Sequence, residues 1–365
     1  MNIGIIGTRG IPNNYGGFEQ FAEFLSVALV KLGHSVTVYN SHNHIFREST
    51  YQGVNIVHCY DPEYFMGTAG QFIFDFNCIL DSRKRRFDII LQLGYTSSSI
   101  WSFLFPKNSL LITNMDGLEW KRTKYSAPVK KFLRFAESLA ARNSDFLVAD
   151  SPAIKKYLNH KYRIESTYIP YGANIFSNPD ESRLEHYKLG KFGYDLLIAR
   201  MEPENNIEII LDGVSQSHGK RPCIVIGSTN NSFGKYLLEK YKNYSKIRFL
   251  GSVYDTADLN NLRYFSNIYF HGHSVGGTNP SLLEAMAANT LILAHKNEFN
   301  KAVLEDNAYY FENPNEVQDY VVSLVKDDKE TGKIQNNLSR IEKFYNWEKI
   351  VCEYEGLFIK SINST

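Results

Sequence analysis

The sequence lacks the features that mark several specialised protein classes. It has only four cysteines in 365 residues and no C-x-x-C pair. We therefore expect small buried apolar residues in a reducing compartment rather than a disulfide framework. No stretch approaches the roughly 18 consecutive apolar residues of a membrane span, and the opening MNIGIIGTRG lacks the charged start and long apolar run of a signal peptide. These absences predict a soluble cytoplasmic protein, attached to a membrane at most peripherally.

The sequence also carries almost no net charge, with a formal value of +1. This value argues against a dedicated nucleic-acid binder. The charge is nevertheless uneven: Lys and Arg outnumber Asp and Glu by 19 to 14 in residues 1–170, and fall short by 21 to 25 in the remainder. Most of the excess lies in residues 81–134. One interpretation is a solvated basic face, and the other is attraction to an anionic membrane or a pyrophosphate-linked acceptor.

The order of apolar segments predicts an α/β protein with two domains. The chain is too long to form a single hydrophobic core of ordinary size and is long enough to form two. Short apolar runs alternate with helical patterns, which is typical of parallel sheets covered on both faces. The alternation breaks at Tyr168–Asn174, which contains Pro170 and Gly172, and then restarts. We predict Rossmann-like domains over 1–170 and 171–346, with the helix of residues 347–365 packing back on the first.

Eleven apolar runs are predicted to be strands. In the first domain they are Asn2–Ile6, Val36–Tyr39, Val54–Cys59, Asp88–Leu93, Leu110–Thr113 and Phe146–Ala149. In the second domain they are Tyr194–Ala199, Cys223–Ile226, Ile247–Leu250, Ile268–His271 and Leu291–Ala294.

The first candidate site is glycine-rich. The first strand runs into Gly7-Thr-Arg-Gly10, and the loop Tyr15-Gly16-Gly17-Phe-Glu19 opens the first helix. Glycines let backbone amides approach an anion at a helix N-terminus. The full G-x-G-x-x-G fingerprint is absent, and Tyr39-Asn40 stands where a ribose-binding acid would end the second strand, so a nicotinamide enzyme is disfavoured. The alternative is that the glycines serve only the turn and the helix cap.

Two further clusters follow predicted strands. Asp116-Gly-Leu-Glu119-Trp120 follows a strand of the first domain, where doubly wound folds bind ligands, although an Asp before Gly is often just a turn residue. In the second domain, Arg200 follows the first strand, and a guanidinium there suits a diphosphate. The alternative for Arg200 is a surface ion pair with Glu202 or Glu204.

The fourth cluster is the most specific. His271-Gly-His273-Ser-Val-Gly-Gly-Thr-Asn-Pro280 joins a strand to a helix, and Glu284 lies one turn into that helix. Pro280 fits the first helical turn, and the loop amides can face a phosphate or a sugar. The Glu284 carboxylate could accept hydrogen bonds from two sugar hydroxyls. This pattern favours a binding function over a purely structural one.

In this order, the motifs resemble those of GT-B glycosyltransferases of family 4, which are retaining enzymes. The strings G-T-R-G-I-P, D-G-L-E-W-K-R and H-G-H-S-V-G-G-T-N-P-S-L-L-E-A-M are similar to a bacterial rhamnosyltransferase-like subgroup. The resemblance implies two Rossmann-like domains whose parallel sheets face across a cleft, with a C-terminal helix crossing back to the first domain.

The resemblance also implies roles for individual residues. The catalytic set is Asp116, Arg200 and Glu284. The residues implied to bind the donor are Gly16, Gly17, Arg200, Asn205, Arg248, His273, Gly276, Gly277, Thr278, Asn279 and Glu284. The residues expected at the acceptor are Glu19, Glu119 and Trp120.

Three positions depart from the family pattern. Asn205 stands where the family has a lysine beside its arginine, Gly276 stands where the first glutamate of an E-x7-E pair belongs, and Asp116 stands where a histidine is usual. Less positive charge then acts on the leaving diphosphate, so loop amides and a helix N-terminus must supply more of the stabilisation.

The predicted activity is transfer of a hexose or deoxyhexose, with rhamnose as one candidate, from a nucleoside diphosphate sugar to a saccharide or lipid-linked saccharide, with retention, in cell-surface polysaccharide synthesis. No cofactor or metal is expected, because no D-x-D ends a strand and the histidines lack ligand spacing. No nucleic-acid partner is expected. The alternatives are a nucleotide-sugar 2-epimerase, a catalytically silent sugar-nucleotide-binding subunit and, more distantly, a dinucleotide oxidoreductase.

Overall fold

The computed structural model describes residues 1–14 and 16–364, which form two compact units. The first unit contains residues 1–120, 125–171 and those from 347 onwards, and the second contains 121–124 and 172–346. The predicted division at 170/171 and 346/347 differs from this one by a single residue at the first boundary and by the four residues 121–124.

The first unit is an eight-stranded sheet with helices on its connections. In chain order its elements are β1 (Asn2–Ile6), α1 (Gly17–Lys31), β2 (Ser35–Ser41), β3 (Thr50–Tyr51), β4 (Val54–Cys59), α2 (Glu63–Met66), α3 (Gly70–Ser82), β5 (Ile89–Leu93), β6 (Leu110–Asn114), α4 (Ala127–Asn143), β7 (Phe146–Ala149), α5 (Pro152–Tyr162) and β8 (Thr167–Tyr168). The strand order is β3-β4-β2-β1-β5-β6-β7-β8. All neighbours pair in parallel except β3 with β4.

The second unit is a six-stranded sheet whose neighbours all pair in parallel. Its elements are β9 (Asp195–Ile198), α6 (Ile207–Gln216), β10 (Cys223–Ile226), α7 (Ser232–Tyr241), β11 (Ile247–Gly251), α8 (Thr256–Tyr264), β12 (Tyr269–His271), α9 (Pro280–Ala287), β13 (Ile292–His295), α10 (Glu298–Leu304), β14 (Tyr309–Phe311), α11 (Pro314–Ser323) and α12 (Thr331–Phe344). The strand order is β11-β10-β9-β12-β13-β14.

The apolar runs form strands because both faces of each sheet are covered. All five residues of β5 are buried, as are all four of β10. In the second unit, Leu197, Val225 and Phe270 from three adjacent strands pack in one core with Ile207 and Ile210 of α6. Continuous hydrophobic strands of this kind are characteristic of parallel sheets.

Each sheet has one point where the strand order reverses. In the first unit β1 lies between β2 and β5, and in the second β9 lies between β10 and β12. In doubly wound sheets, ligands bind outside the carboxyl ends of the strands at such a point. The loops after β1 and β5, and after β9 and β12, are therefore where a ligand is expected to bind.

The last helix, α13 (Trp347–Asn363), belongs to the first unit. Its Tyr354 is fully buried, lies with its ring centroid 5.2 Å from that of Phe21 on α1, and accepts a 3.0 Å hydrogen bond from Asn114 Nδ2. Trp347 stacks on Phe24 at 4.6 Å. The helix thus completes the core around α1.

The predicted α/β architecture with two parallel sheets is confirmed, and every predicted strand is present within a few residues. Two details differ. Helix α5 was not predicted, because its only fully buried apolar residues are Ile154 and Leu158. The expectation that all four cysteines are buried is wrong for Cys352, which is exposed on α13 because that helix has one solvent-facing side. Among the described residues, no helix combines the length and the apolar character that crossing a bilayer requires.

Candidate functional site

Two loops of the second unit meet at the strand-order reversal. One follows β9 and carries Arg200, and the other follows β12 and carries His273. Asn206 Nδ2 donates to the carbonyl of Gly272 at 2.7 Å. The backbone N–H of Ser274 and its hydroxyl both donate to the carbonyl of Glu204, at 3.1 and 2.7 Å. These bonds fix the two loops against each other before any ligand is bound.

Gly272 shows how tightly the loops pack. A Cβ atom at this position would lie 2.0 Å from the carbonyl oxygen of Asn205. Asn205 itself is buried, and its Nδ2 donates to the carbonyl of Arg200 at 2.8 Å. The Asn205 amide therefore holds the loop that presents Arg200.

Arg200 is exposed and carries the charge of this site. Within residues 1–14 and 16–364, its guanidinium makes no hydrogen bond or ion pair. The two acids considered as surface partners are occupied: Glu202 pairs with Lys124 at 3.4 Å, and the buried Glu204 accepts a 3.1 Å hydrogen bond from Thr123 Oγ1. The surface-pair alternative for Arg200 is therefore not what the structure shows, and its guanidinium is available for an anion.

Two histidines lie beside this arginine. The rings of His271 and His273 stack with centroids 4.5 Å apart. Burial, together with the positive charges of Arg200 and Arg122, lowers the pKa of His273 to about 3. Burial also lowers the pKa of His271 well below its usual value. Both rings are accordingly neutral at physiological pH.

The start of α9 supplies backbone donors. Asn279 caps the helix, with its Oδ1 accepting from the N–H of Ser281 at 2.9 Å, and Pro280 occupies the first turn. Thr278 is buried, whereas Gly276 and Gly277 are partly exposed. Gly276 has φ +137°, which a residue with a side chain rarely adopts, and no atom lies within 4 Å of the position its Cβ would take. This geometry leaves room for a ligand next to a helix N-terminus.

Glu284 has a partner that sequence reasoning missed. Its carboxylate pairs with Arg263 Nη2 at 2.5 Å, and Arg263 is almost wholly buried while Glu284 is about one third exposed. Arg263 lies on α8, 21 residues away, and no local sequence signal links the two. The ion pair holds the carboxylate in place. Arg248, expected to bind the donor, donates from Nη2 to the carbonyl of Tyr187 at 2.9 Å.

In the first unit, the glycine-rich turn is held by Glu19. The Glu19 carboxylate is buried and accepts a 2.9 Å hydrogen bond from the N–H of Arg9. Gly7 has φ +90°, and a Cβ there would lie 2.2 Å from the carbonyl oxygen of Leu93. In the structure the Glu19 carboxylate holds the turn, and its predicted contact with the acceptor stays a prediction.

The adjacent loop leads into α1. Gly16 precedes the helix, and its N–H donates to Asn13 Oδ1 at 3.2 Å. Gly17 is the first helical residue. Tyr15, the remaining residue of the predicted loop motif, lies outside the described residues.

Asp116 follows β6 in a left-handed conformation with φ +50°. Its N–H donates to Asn114 Oδ1 at 3.0 Å. A non-glycine residue with this φ is uncommon and, where it occurs, is often found at functional sites. The side chain is partly exposed, and its charge adds to the effect of burial in raising the pKa of the buried Tyr171 well above its usual value.

Trp120 is fixed by a buried carboxylate. Its indole N–H donates to Glu137 Oε2 at 2.9 Å, and the guanidinium of Arg134 lies over its ring at 4.4 Å. Glu137 is 1% exposed and also accepts from Tyr157 and Tyr162, at 2.7 and 2.6 Å. Glu119 begins a short 3₁₀ turn, with its N–H donating to the carbonyl of Gly117 at 3.0 Å.

The fold and these loops define a protein of the GT-B type. Residues 183–340 match the family described as "Glycosyl transferases group 1", and residues 1–174 match a "Domain of unknown function (DUF1972)". An uncharacterized glycosyltransferase of Methanocaldococcus jannaschii is 30% identical over 319 residues, which covers 77% of each chain. The chain belongs to the group 1 glycosyltransferase family.

Solved structures share the whole fold. Sucrose-phosphate synthase from Thermosynechococcus elongatus superposes with a TM-score of 0.83 over 100% of both chains at 16% identity. Anabaena HepE in complex with UDP and glucose superposes with a TM-score of 0.76 over 98% of this chain and 99% of its own, at 15% identity.

Proposed function

We propose that the protein transfers a hexose or deoxyhexose, with a rhamnose-like sugar as one candidate, from a nucleoside diphosphate sugar to a saccharide acceptor with retention of anomeric configuration, in cell-surface polysaccharide synthesis. The observation that carries this proposal is Arg200. It is an exposed guanidinium that makes no ion pair within the described residues, and it lies on the loop after β9, at the strand-order reversal. The structural neighbour HepE, solved with UDP and with UDP-glucose, supports a donor of this class.

The proposed chemistry follows the charge that develops. As the bond between the anomeric carbon and the diphosphate oxygen breaks, negative charge grows on the diphosphate. Arg200 and the amides of residues 276–279 stabilise that charge, and the catalytic benefit arises because they are fixed in advance. Glu284, held by Arg263, accepts hydrogen bonds from donor hydroxyls.

The acceptor side is assigned to the first unit. In front-face transfer the acceptor oxygen forms its bond to the anomeric carbon on the side that the diphosphate leaves, and the departing phosphate oxygen takes the acceptor proton. Asp116 then orients the acceptor hydroxyl or stabilises the positive charge at the sugar, rather than acting as a strong base. Trp120 offers an aromatic surface for a sugar.

The central test is donor turnover by Arg200→Ala and Glu284→Ala. We expect each to lower kcat/KM by about two to three orders of magnitude, comparable to the loss of one transition-state donor. Lys220→Ala removes an exposed charge elsewhere in the second unit and should match the wild type. Near-wild-type activity of both site variants, with folding verified by circular dichroism, would refute the assignment. Proton NMR of the product's anomeric coupling tests retention.

The epimerase and silent-subunit alternatives are separable without an acceptor. Incubation with a nucleotide sugar alone should give slow hydrolysis if the protein is a transferase. An epimerised sugar would favour the 2-epimerase, and tight binding without turnover across an acceptor panel would favour the silent subunit.

A lipid-linked acceptor at the cytoplasmic membrane surface is part of the proposal. On α4, Val129 and Phe135 are 39% and 55% exposed, and Lys131 and Arg134 are exposed nearby. Apolar and basic side chains together favour an anionic interface. Co-flotation with phosphatidylglycerol vesicles, and its loss in Phe135→Ser/Lys131→Gln, tests this; equal flotation of both proteins would contradict it.

A further inference from the structure

Two asparagines at the start of α10 hold the loop that follows β12. Nδ2 of Asn297 and Nδ2 of Asn300 both donate to the carbonyl of His273, each at 3.0 Å. The same two nitrogens donate to the carbonyl of His295, which ends β13, at 3.1 and 2.8 Å. Asn300 is only 3% exposed. The backbone at His273 is therefore tied to the neighbouring strand by a buried amide.

The imidazole of His273 is held by stacking. Its ring lies on that of His271, with centroids 4.5 Å apart and planes inclined by 17°. His271 lies in turn on Tyr269, with centroids 6.5 Å apart. These alternate positions share one face of β12 and its extension, so the three rings form a row. Rotation of the His273 side chain would break this row.

The position of the proton on His273 follows from its surroundings. The ring is neutral, because burial and nearby positive charge lower its pKa to about 3, and a neutral imidazole has one N–H and one acceptor nitrogen. Nδ1 is buried and has no hydrogen-bond partner within residues 1–14 and 16–364. A buried N–H without an acceptor is rarer in proteins than a buried acceptor without a donor. The proton therefore belongs on Nε2.

Nε2 is also the nitrogen of this ring that is not enclosed. Both nitrogens of His271 and Nδ1 of His273 are enclosed by protein atoms, whereas Nε2 of His273 is not. His273 is partly exposed, and its Nε2 makes no hydrogen bond to the part of the chain that the structure describes. The charge of Arg200 acts on the same ring. The loop thus presents a neutral donor near a charged one.

A neutral donor suits this place. A protonated imidazole would be a second cation buried near Arg200, which is the physical reason that its pKa is low. Hydrogen-bond donors that are fixed in advance stabilise a developing negative charge without reorganisation at the moment of reaction. The stacked rings and the two asparagines provide that fixation for His273.

We propose that His273 is a catalytic residue that donates Nε2–H to an oxygen of the leaving diphosphate, with Asn297 and Asn300 as its positioning residues. The inference rests on the proposed function and assigns the atom and the tautomer that act at the same site. When the bond from the anomeric carbon to the diphosphate oxygen breaks, its electron pair stays on that oxygen. The hydrogen bond from Nε2 strengthens as this charge grows, and the proton remains on the imidazole.

The test uses two substitutions that each keep one nitrogen position. A glutamine at position 273 carries an amide N–H near the place of Nε2, and an asparagine carries one near the place of Nδ1. UDP, GDP, ADP and dTDP are screened by calorimetry with the wild type, and the best ligand is used. We expect His273→Asn to weaken its binding by about 10- to 30-fold, the loss of one hydrogen bond to a charged group, and His273→Gln by less than about threefold.

Two outcomes of this comparison would overturn the proposal. Equal weakening in His273→Asn and His273→Gln would show that the ring serves packing alone, and wild-type affinity in His273→Asn would show that Nε2 does not bind the diphosphate. His218→Asn makes the same change at an exposed histidine elsewhere in the second unit and should leave the affinity unchanged.

NMR of protein labelled with ¹⁵N at histidine gives a readout that a packing role would not move. Two-bond ¹H–¹⁵N spectra distinguish the two tautomers, and the His273 signals are those lost in His273→Gln. We expect the Nε2–H form throughout about pH 5.5 to 8, and a shift of the Nε2 resonance when the diphosphate is added. A charged ring, the Nδ1–H form, or an Nε2 resonance that does not respond to saturating diphosphate would each contradict the proposal.

Asn300 is tested as a residue that acts through His273. Asn300→Ala should weaken diphosphate binding by about 3- to 10-fold in the wild type, but by less than about twofold when added to His273→Asn, because the ring that it positions is then absent. Losses that simply add would show that Asn300 does not act through His273.

Arg200→Ala distinguishes this inference from the function on which it rests. If the wild type binds none of the four diphosphates, or if Arg200→Ala binds as well as the wild type, the donor-site assignment fails and the role of His273 fails with it. If Arg200→Ala loses binding while His273→Asn does not, only the role of His273 fails.

Discussion

The two units use their predicted ligand-binding residues differently. In the second unit, the backbone and the amides of Asn205 and Asn206 hold the loops, and the guanidinium of Arg200 has no partner among the residues that the structure describes. In the first unit, Glu19 and Trp120 are both committed to internal hydrogen bonds. In the proposed donor site, hydrogen-bonded loops present the charge of Arg200. At the proposed acceptor site, Glu19 and Trp120 instead hold the local structure together. Asp116 is the exception, with its left-handed backbone and partly exposed carboxylate.

The largest effect is expected from separating the two hydrogen-bonded loops of the second unit that carry Arg200 and His273. In Gly272→Ala the new methyl group would meet the Asn205 carbonyl at 2.0 Å, so the two loops must separate. We expect kcat/KM for the donor to fall by about 10²- to 10³-fold, because a displacement of about 1 Å is enough to misplace Arg200 and the loop amides. The control is Gly332→Ala, where a Cβ meets no atom within 4 Å. Comparable activity of the two variants would show that the loop contact does not matter.

Replacement of Asp116 tests whether its partly exposed carboxylate acts in the reaction. We expect Asp116→Asn to reduce kcat by about 10²-fold, with donor binding unchanged, because the carboxylate is assigned to the acceptor and the transition state. Asparagine also tolerates a left-handed backbone, so φ +50° is not disturbed. Steady-state kinetics with varied acceptor, and calorimetry for the donor, give the two readouts. A loss of donor affinity in Asp116→Asn would contradict the assignment of Asp116 to the acceptor rather than the donor.

Glu19 provides a smaller and more discriminating comparison. Its carboxylate accepts from the N–H of Arg9, and a glutamine can accept the same bond. If the role is to hold the turn, Glu19→Ala should lower activity by about tenfold and the melting temperature by several degrees, whereas Glu19→Gln should retain most of both. Equal loss in the two variants would indicate that the charge acts on the acceptor, as the sequence first suggested.

The last expected effects concern stability rather than activity: the dependence of stability on pH should differ in sign between the two units. Burial raises the pKa of Asp75 in the first unit to about 7, and lowers the pKa of Lys326 in the second unit to about 7. Between about pH 4 and 7, the unfolded chain ionises at Asp75 while the folded one keeps its proton, so stability falls with rising pH. Between about pH 7 and 10.5, the unfolded chain keeps a proton on Lys326 that the folded one releases, so stability rises.

Melting curves of Asp75→Asn and Lys326→Met across pH 5 to 9 check this contrast. Asp75→Asn should flatten the fall below pH 7, by at most about 4 kcal/mol, and Lys326→Met should flatten the rise above it. Unchanged pH profiles in both variants would show that neither group is shifted in this way.

Much of the fold could be predicted because parallel strands are short apolar runs with both faces buried. Asn2–Ile6, Val54–Cys59 and Cys223–Ile226 have the bounds predicted from that pattern. Helix α5 was not predicted because it buries few apolar residues. Its N-terminus nevertheless has a recognisable sequence signal, Ser151 followed by Pro152, and the Ser151 hydroxyl caps the helix by accepting from the N–H of Ile154.

Residues of the candidate site could be predicted only where a short stretch of sequence carries the signal. Arg200 and the loop 276–279 stand next to strand ends and could be found from spacing. The partnership of Glu284 with Arg263 and that of Glu204 with Arg122 join distant segments. Such pairs depend on how helices and loops pack in three dimensions, and no periodicity encodes them.

The assignment of residues 121–124 to the second unit has a practical consequence for recombining this protein with its relatives. A chimera that exchanges the half carrying Arg200 at a single crossover near residue 172 would separate the buried Glu204 from its ion-pair partner Arg122 and from the hydroxyl of Thr123 that donates to it. The exchanged portion should therefore include residues 121–124 with 172–346 and leave α13 with the recipient. Exchange of the whole second unit therefore takes four crossovers rather than one.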